Sequence, residues 1–184
     1  MKTLTTILLF LILTSCSKQE NGYHIQTIKP DAYFSELRVR TIEDNVIEGT
    51  AILGPSCTYD LPDYPQTNKL DGMFQGLNGI HKNSARVGWR CVDESYYVLS
   101  AYCYVDSQRY DADSLILDTI GISEEFAYRV ETDKYGYTVG VNGHSIFIRN
   151  EVDKVGISYG TNFHFGGKYK NPNKEKMKLL TKKD

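Results

Sequence analysis

The stretch YGYTVGVNGHSIFIR, from Tyr135 to Arg149, constrains the fold more than any other part of this chain. Asn142-Gly143 is a strong two-residue hairpin signal, because both residues tolerate the positive φ that a tight turn requires. Folding there sets Val141 opposite His144, Val139 opposite Ile146 and Tyr137 opposite Ile148, all on one largely apolar face. Turn chemistry and side-chain alternation select the same register. A second hairpin is expected in WRCVDESYYVLSAYCY, turning at Asp93-Glu94-Ser95. That turn sets Arg86 opposite Tyr102 and Arg90 opposite Val98. Val87, Trp89, Cys91, Leu99, Ala101 and Cys103 then share a core face, and the opposite face displays Arg86, Arg90, Tyr102 and Tyr104.

The same pattern of short segments rich in Tyr, Val, Ile and Phe, cut by Gly, Asn, Asp and Pro, recurs along the chain. It predicts strands at Phe34 to Ile42, Val46 to Leu53, Leu70 to Leu77, Leu115 to Ile120, Phe126 to Val130, Val155 to Phe165 and Glu175 to Leu180. No repeat or long helical periodicity accompanies them. The expected fold class is all-β, a two-sheet antiparallel β-sandwich of jelly-roll (concanavalin-like) type with little helix.

The first residues combine Lys2, an apolar run from Ile7 to Leu13, and Leu13-Thr14-Ser15-Cys16. The run is too short to span a bilayer as a mature helix, and a cysteine after small residues is how a bacterial lipoprotein signal ends. Residues 1–16 are therefore expected to be a signal ending in the lipidated Cys16, 17–30 a tether, and 31–184 the sandwich. The implied location is the cell envelope, lipid-anchored, at the outer membrane. Lys and Arg number 21 against 23 Asp and Glu, which excludes an electrostatically driven nucleic-acid binder.

Cys57, Cys91 and Cys103 remain after Cys16, with neither C-x-x-C spacing nor a neighbouring histidine pattern, so buried free thiols rather than a metal site are expected. No cofactor is implied. Asp111 and Asp113 lack the remaining oxygens and glycine of a calcium loop. Ser56 in GPSC lacks the second glycine of a nucleophile elbow. Glu151 and Asp153 alternate like the paired acids of a glycoside hydrolase, but the further acid is missing. Among the histidines, His24 falls in the expected tether and His144 beside the tight turn, which leaves His81 and His164 as site candidates.

HKNSARVGWR, LSAYCYV and FHFGGKYKNPNKEKMKL resemble lipoproteins of Bacteroidetes bacteria from about Leu70 to Leu180, a likeness that carries no activity with it. A more distant resemblance is to the jelly-roll alginate lyases. SELR at Ser35 to Arg38, GIH at Gly79 to His81 and FHFGGKYKN at Phe163 to Asn171 follow the order of that family's three motifs. The resemblance implies that Arg38 neutralises a uronate carboxylate while His81 and Tyr169 exchange protons at the sugar. The family's glutamine is replaced by Gly79, its leading arginine by Phe34 and its last-motif lysine by Phe165. An intact fold with a decayed or different site explains the loss of the glutamine at least as well as an active lyase does.

The first expectation is accordingly a membrane-anchored, non-catalytic module that binds a carbohydrate or cell-surface polymer through Arg86, Arg90, Tyr102 and Tyr104. The alternative is a uronate polysaccharide lyase using Arg38, His81 and Tyr169. A second alternative is a protein-interaction or immunity lipoprotein.

Overall fold

The structure, a computed structural model, describes residues 19–35, 40–42, 44–61, 67–76, 79–111, 113–150, 158–161, 163–166, 169–174 and 177–183. Within them the strands are β1 (Gln19–Glu20), β2 (Tyr23–Ile28), β3 (Arg40–Ile42), β4 (Val46–Leu53), β5 (Asn68–Gln75), β6 (Ser84–Val92), β7 (Tyr96–Val105), β8 (Gln108–Tyr110), β9 (Ile116–Gly121), β10 (Glu125–Thr132), β11 (Gly136–Val141), β12 (His144–Arg149), β13 (Ser158–Thr161) and β14 (Met177–Lys183). They form two antiparallel sheets ordered β1-β2-β14-β4-β10-β11-β12 and β3-β13-β5-β6-β7-β8, with β9 sharing the outer edge of β7. The 3-10 turns Pro55–Cys57 and Asp113–Leu115 are the helical elements among the described residues. This is the expected jelly-roll sandwich.

Both hairpin registers are as the turns dictate. Val141 pairs with His144, Val139 with Ile146 and Tyr137 with Ile148. Asn142 and Gly143 take φ of 48° and 83°. Arg86 pairs with Tyr102 and Arg90 with Val98. Trp89 is fully buried between the sheets. Its ring stacks on Phe163 at 5.8 Å and meets Tyr59 and Tyr97 edge-on at 6.1 Å and 5.7 Å. Cys57, Cys91 and Cys103 are all free thiols.

The tether expected at 17–30 needs correction, because β2 lies within it. Tyr23–Ile28 pairs with β14 from His24 opposite Thr181 to Ile28 opposite Met177, and Ile28 is fully buried. The polar residues that suggested a tether are half-buried along this strand, and Gln26 donates to Thr181 Oγ1 at 3.2 Å and accepts from the Phe163 amide at 3.4 Å. Ser56 is likewise structural, its Oγ accepting the Lys178 amide at 2.8 Å.

What positions the site is the second sheet. Its inner face carries Ala85, Val87, Trp89, Leu99, Ala101 and Cys103, all fully buried. Side chains one position out of phase, Ser84, Arg86, Tyr102 and Tyr104, point away from that core.

Candidate active site

The outward face of β5, β6 and β7 holds a cavity of about 190 Å³. Lys69 enters its wall because β5 is bulged. Lys69 pairs with Gly88, yet Gly72 pairs with Arg86, so Leu70 and Asp71 together occupy the interval. Leu70 and Met73 are then both buried in the core although they are three positions apart. A bulge is what reconciles that spacing with one inward face. Asp71, turned inward, accepts Arg40 Nη2 at 3.0 Å and 3.1 Å, Tyr128 Oη at 3.1 Å and the Gly72 amide at 2.9 Å. On the far side of Lys69, segment 163–166 pairs with it through reciprocal backbone bonds with His164 of 2.8 Å and 2.9 Å.

Two cations therefore share one buried space. Arg86 is 3% exposed and Lys69 5% exposed. The Arg86 guanidinium lies 4.8 Å over the Tyr102 ring and 5.9 Å from that of Tyr104, and Lys69 Nζ lies 4.4 Å over Tyr102. The Arg86 side chain donates to Ser84 Oγ at 3.4 Å, and its Nε has no partner among the described residues. No described carboxylate lies within ion-pair distance of either cation. The described carboxylate lining the cavity, Asp111, is held by Arg109 at 3.1 Å.

Titration follows from this crowding. Burial, then the neighbouring Arg86, lower the Lys69 ammonium to about 7. Burial likewise lowers Arg86. His164 is lowered to about 4 by burial, then by Lys69 and Arg86. His81, at the exposed rim, is lowered by the same causes, and its ring meets Tyr104 edge-on at 5.1 Å. Tyr102 is raised by burial, so its phenol stays protonated, and its hydroxyl lies 3.5 Å from that of Tyr104.

The residues singled out from sequence thus separate. His81, Arg86, Tyr102 and Tyr104 line the cavity, as does His164. Arg90 does not. It sits farther along β6 and pairs with Asp113 at 3.2 Å near the surface. Tyr169 packs against the hydrophobic core instead of lining the cavity. Arg38, Cys16, Glu151 and Asp153 lie outside the described residues. Lys69 was missed by sequence reasoning, which began that strand one residue later. A larger, more open groove of about 390 Å³ on the first sheet includes His144, but its Arg129 is already paired with Glu48 and Glu131.

No protein-family model and no curated protein matches the chain. Solved structures do. An alginate lyase Aly36B variant with a lysine and a tyrosine replaced by alanine, in complex with alginate tetrasaccharide, matches with a TM-score of 0.63 at 11% identity, over 91% of this chain and 83% of that one. A laminarinase from Flavobacterium sp. UMI-01 matches at 0.56 and 13% identity, over 92% and 80%. An alginate lyase from Alteromonas sp. 272 matches at 0.52 and 10% identity, over 90% and 87%. The expectation of a module that binds without cleaving is corrected by these matches, which set the fold among polysaccharide-cleaving enzymes, alginate lyases foremost. At such identities the likeness establishes the fold, and the chain has the jelly-roll fold of the alginate lyases.

Proposed function

We propose that the protein is a polysaccharide lyase that cleaves a uronate-containing polymer by β-elimination at the Lys69–Arg86–Tyr102 cavity. The observation that carries this reading is the pair of buried cations without a carboxylate partner among the described residues. Burying unpaired charge is unfavourable unless something compensates it, and a substrate carboxylate supplies the compensation. Elimination needs that carboxylate neutralised, so that the carbon beside it becomes acidic, and Arg86 is placed to do so. Lys69, neutral above a pH of about 7, takes the proton from that carbon. The released electron pair forms the C4–C5 double bond and expels the glycosidic oxygen at C4. The Tyr102–Tyr104 hydroxyl pair protonates the departing oxygen, while His81, held neutral, donates to or accepts from a sugar hydroxyl at the rim. Hydrolysis is disfavoured, because it requires two carboxylates flanking the bond, and the one described cavity carboxylate is tied to Arg109.

Because Lys69 must lose its proton to act, kcat/KM is expected to rise with pH through about 7. A bound carboxylate restores some basicity to the lysine, so the kcat limb lies at higher pH than the kcat/KM limb. Initial rates across pH on alginate or polyglucuronate check this, together with mass spectrometry of the products. At each cut elimination gives one fragment, the one with the C4–C5 double bond, that is one water lighter than its hydrolysis counterpart, and one of equal mass. A kcat/KM that falls through this range, or hydrolytic products, contradicts the assignment. We also retain the lipid anchor at Cys16 as a proposal. Incorporation of labelled fatty acid, lost in Cys16→Ser, tests it.

A further inference from the structure

We infer that the outer face of the first sheet, where β2, β14 and β4 lie side by side, rests against a membrane surface of anionic lipid, so that the Lys69–Arg86 cavity opens away from the bilayer. The inference rests on the lipid anchor proposed at Cys16 and is independent of the reaction at the cavity.

Chain length carries the first part of the argument. β1 begins at Gln19, so only Ser17 and Lys18 separate it from Cys16. Three residue steps span at most about 11 Å, too little for the domain to stand clear of lipid held at Cys16. The point of arrival is fixed as well. Gln19 pairs with His24 and Glu20 with Tyr23, and β14 lies on the other side of β2. Adjacent strands stand about 4.8 Å apart, so β14 is roughly 10 Å from β1. The anchor therefore holds the β1–β2–β14 end of the sheet nearest the bilayer.

The side chains at that end suit the contact. Ile25 pairs with Leu180 and Leu180 with Ile52, which sets the three in one row across the sheet. Their neighbours Leu179, Ala51 and Leu53 are fully buried in the core, and Gln26 is bonded to the buried Thr181, so the row faces outward. All three are half-buried and keep part of their apolar surface in water. Lys178 and Lys182 flank Leu180 on the same face of β14, and both are exposed. Lysine stems lie along apolar surface while their charges reach anionic headgroups. Toward β4 and β10 the face turns acidic, with Glu125 opposite Ile52 and with Glu48 and Glu131 held by Arg129. The basic, apolar part is thus the part nearest the anchor.

The two sheets pack face to face, so their outer faces look in opposite directions. The cavity lies on the outer face of the second sheet. With the first sheet on the bilayer, it opens to the aqueous side, where a soluble polymer arrives.

The test uses the full acylated chain in vesicles of phosphatidylethanolamine and phosphatidylglycerol with brominated acyl chains, which quench tryptophan on contact. Leu180→Trp reports the proposed face, and Ile116→Trp, at an exposed position of β9, reports the second sheet. The buried Trp89 is common to both proteins. Because an apolar face on a bilayer sits about 5–10 Å into the headgroup–acyl boundary, the Leu180→Trp signal is expected to lose roughly half or more, and the Ile116→Trp signal none. Adding Lys178→Glu and Lys182→Glu should relieve the quenching. Ile52→Trp replaces Leu180→Trp if thermal unfolding shows the latter misfolded. No quenching at the first sheet, equal quenching at both positions, or quenching indifferent to the two lysines overturns the inference. Mass spectrometry of the same preparation reads acylation at Cys16. A chain without acyl groups overturns the anchor and this inference together, whereas an acylated chain without quenching overturns the docking face alone.

Discussion

Lys69→Met is expected to abolish elimination and, at the same time, to raise stability. Removing a general base lowers the rate by about 10²–10⁴-fold. Wild-type protein must either hold an ammonium in a buried space beside Arg86 or give up its proton on folding. The unfolded lysine keeps that proton to a pH of about 10.4, whereas the folded one releases it near 7. Below about 7 the folded state carries the whole penalty of the buried charge. As pH rises from there toward about 10.4 the unfolded chain binds more protons than the folded one, so wild-type stability recovers relative to the variant. Methionine fills similar volume without the charge. The variant should therefore gain on the order of 2–3 kcal/mol near neutrality, or roughly 5–10 °C in Tm, and the gain should shrink as pH increases. Thermal unfolding at graded pH, alongside initial rates, checks both halves. An active variant would remove Lys69 from the chemistry. An inactive variant of unchanged stability at every pH would show that the lysine is not held in a desolvated state.

Arg86→Leu should lower kcat/KM by about 10²–10³-fold, since the arginine faces the charge that builds on the carboxylate as the carbon loses its proton. Part of the loss should fall on kcat, because that charge is greater in the transition state than in bound substrate. The variant carries a second signature. Arg86 is one of the causes that depress Lys69, so without it the lysine becomes more basic. The residual activity should therefore rise through a higher pH than in wild type. A merely structural arginine would reduce activity without moving the pH profile. Arg86→Lys should not restore the rate, because a point charge on a flexible stem does not reproduce a planar donor fork stacked on Tyr102 and Tyr104.

The parts of the site that were legible in sequence were those fixed by local turn chemistry. Asp93-Glu94-Ser95 sets the β6–β7 register, and that register alone brings Arg86 and Tyr102 side by side on the outward face with Trp89 inside. Lys69 was not legible through strict alternation, which would set Lys69 and Asp71 on the face of Met73. The signal was present in a different form: two charges in phase with a core methionine, and Leu70 three residues before it, require a bulge. Tyr169 was assigned by motif order, but segment 163–166 pairs beside Lys69 and the chain then carries Tyr169 to the core. The strand at Tyr23–Ile28 was hidden because its partner, Met177–Thr181, lies at the other end of the sequence. No local pattern announces such a pairing.

Gly79 is the motif departure that a uronate lyase must make good. It stands where the lyase motif has its glutamine, and this suggested that the carboxylate could not be neutralised. Its φ is 90° and the space around its Cα is open. In the proposed lyase the positive charge is supplied from the β6 strand itself, through Arg86, with Lys69 beside it. A pocket can be supplied from adjacent strands when one motif position is lost, because what substrate meets is the face and not the sequence order.

The most direct measurement is ultraviolet absorbance during incubation of wild-type protein and the Lys69→Met variant with alginate and polyglucuronate, which reports the unsaturated uronate formed by elimination. A rise is expected with wild-type protein on a uronate polymer and none with the variant. An equal rise with both proteins, or no rise on either polymer, would contradict the lyase reading.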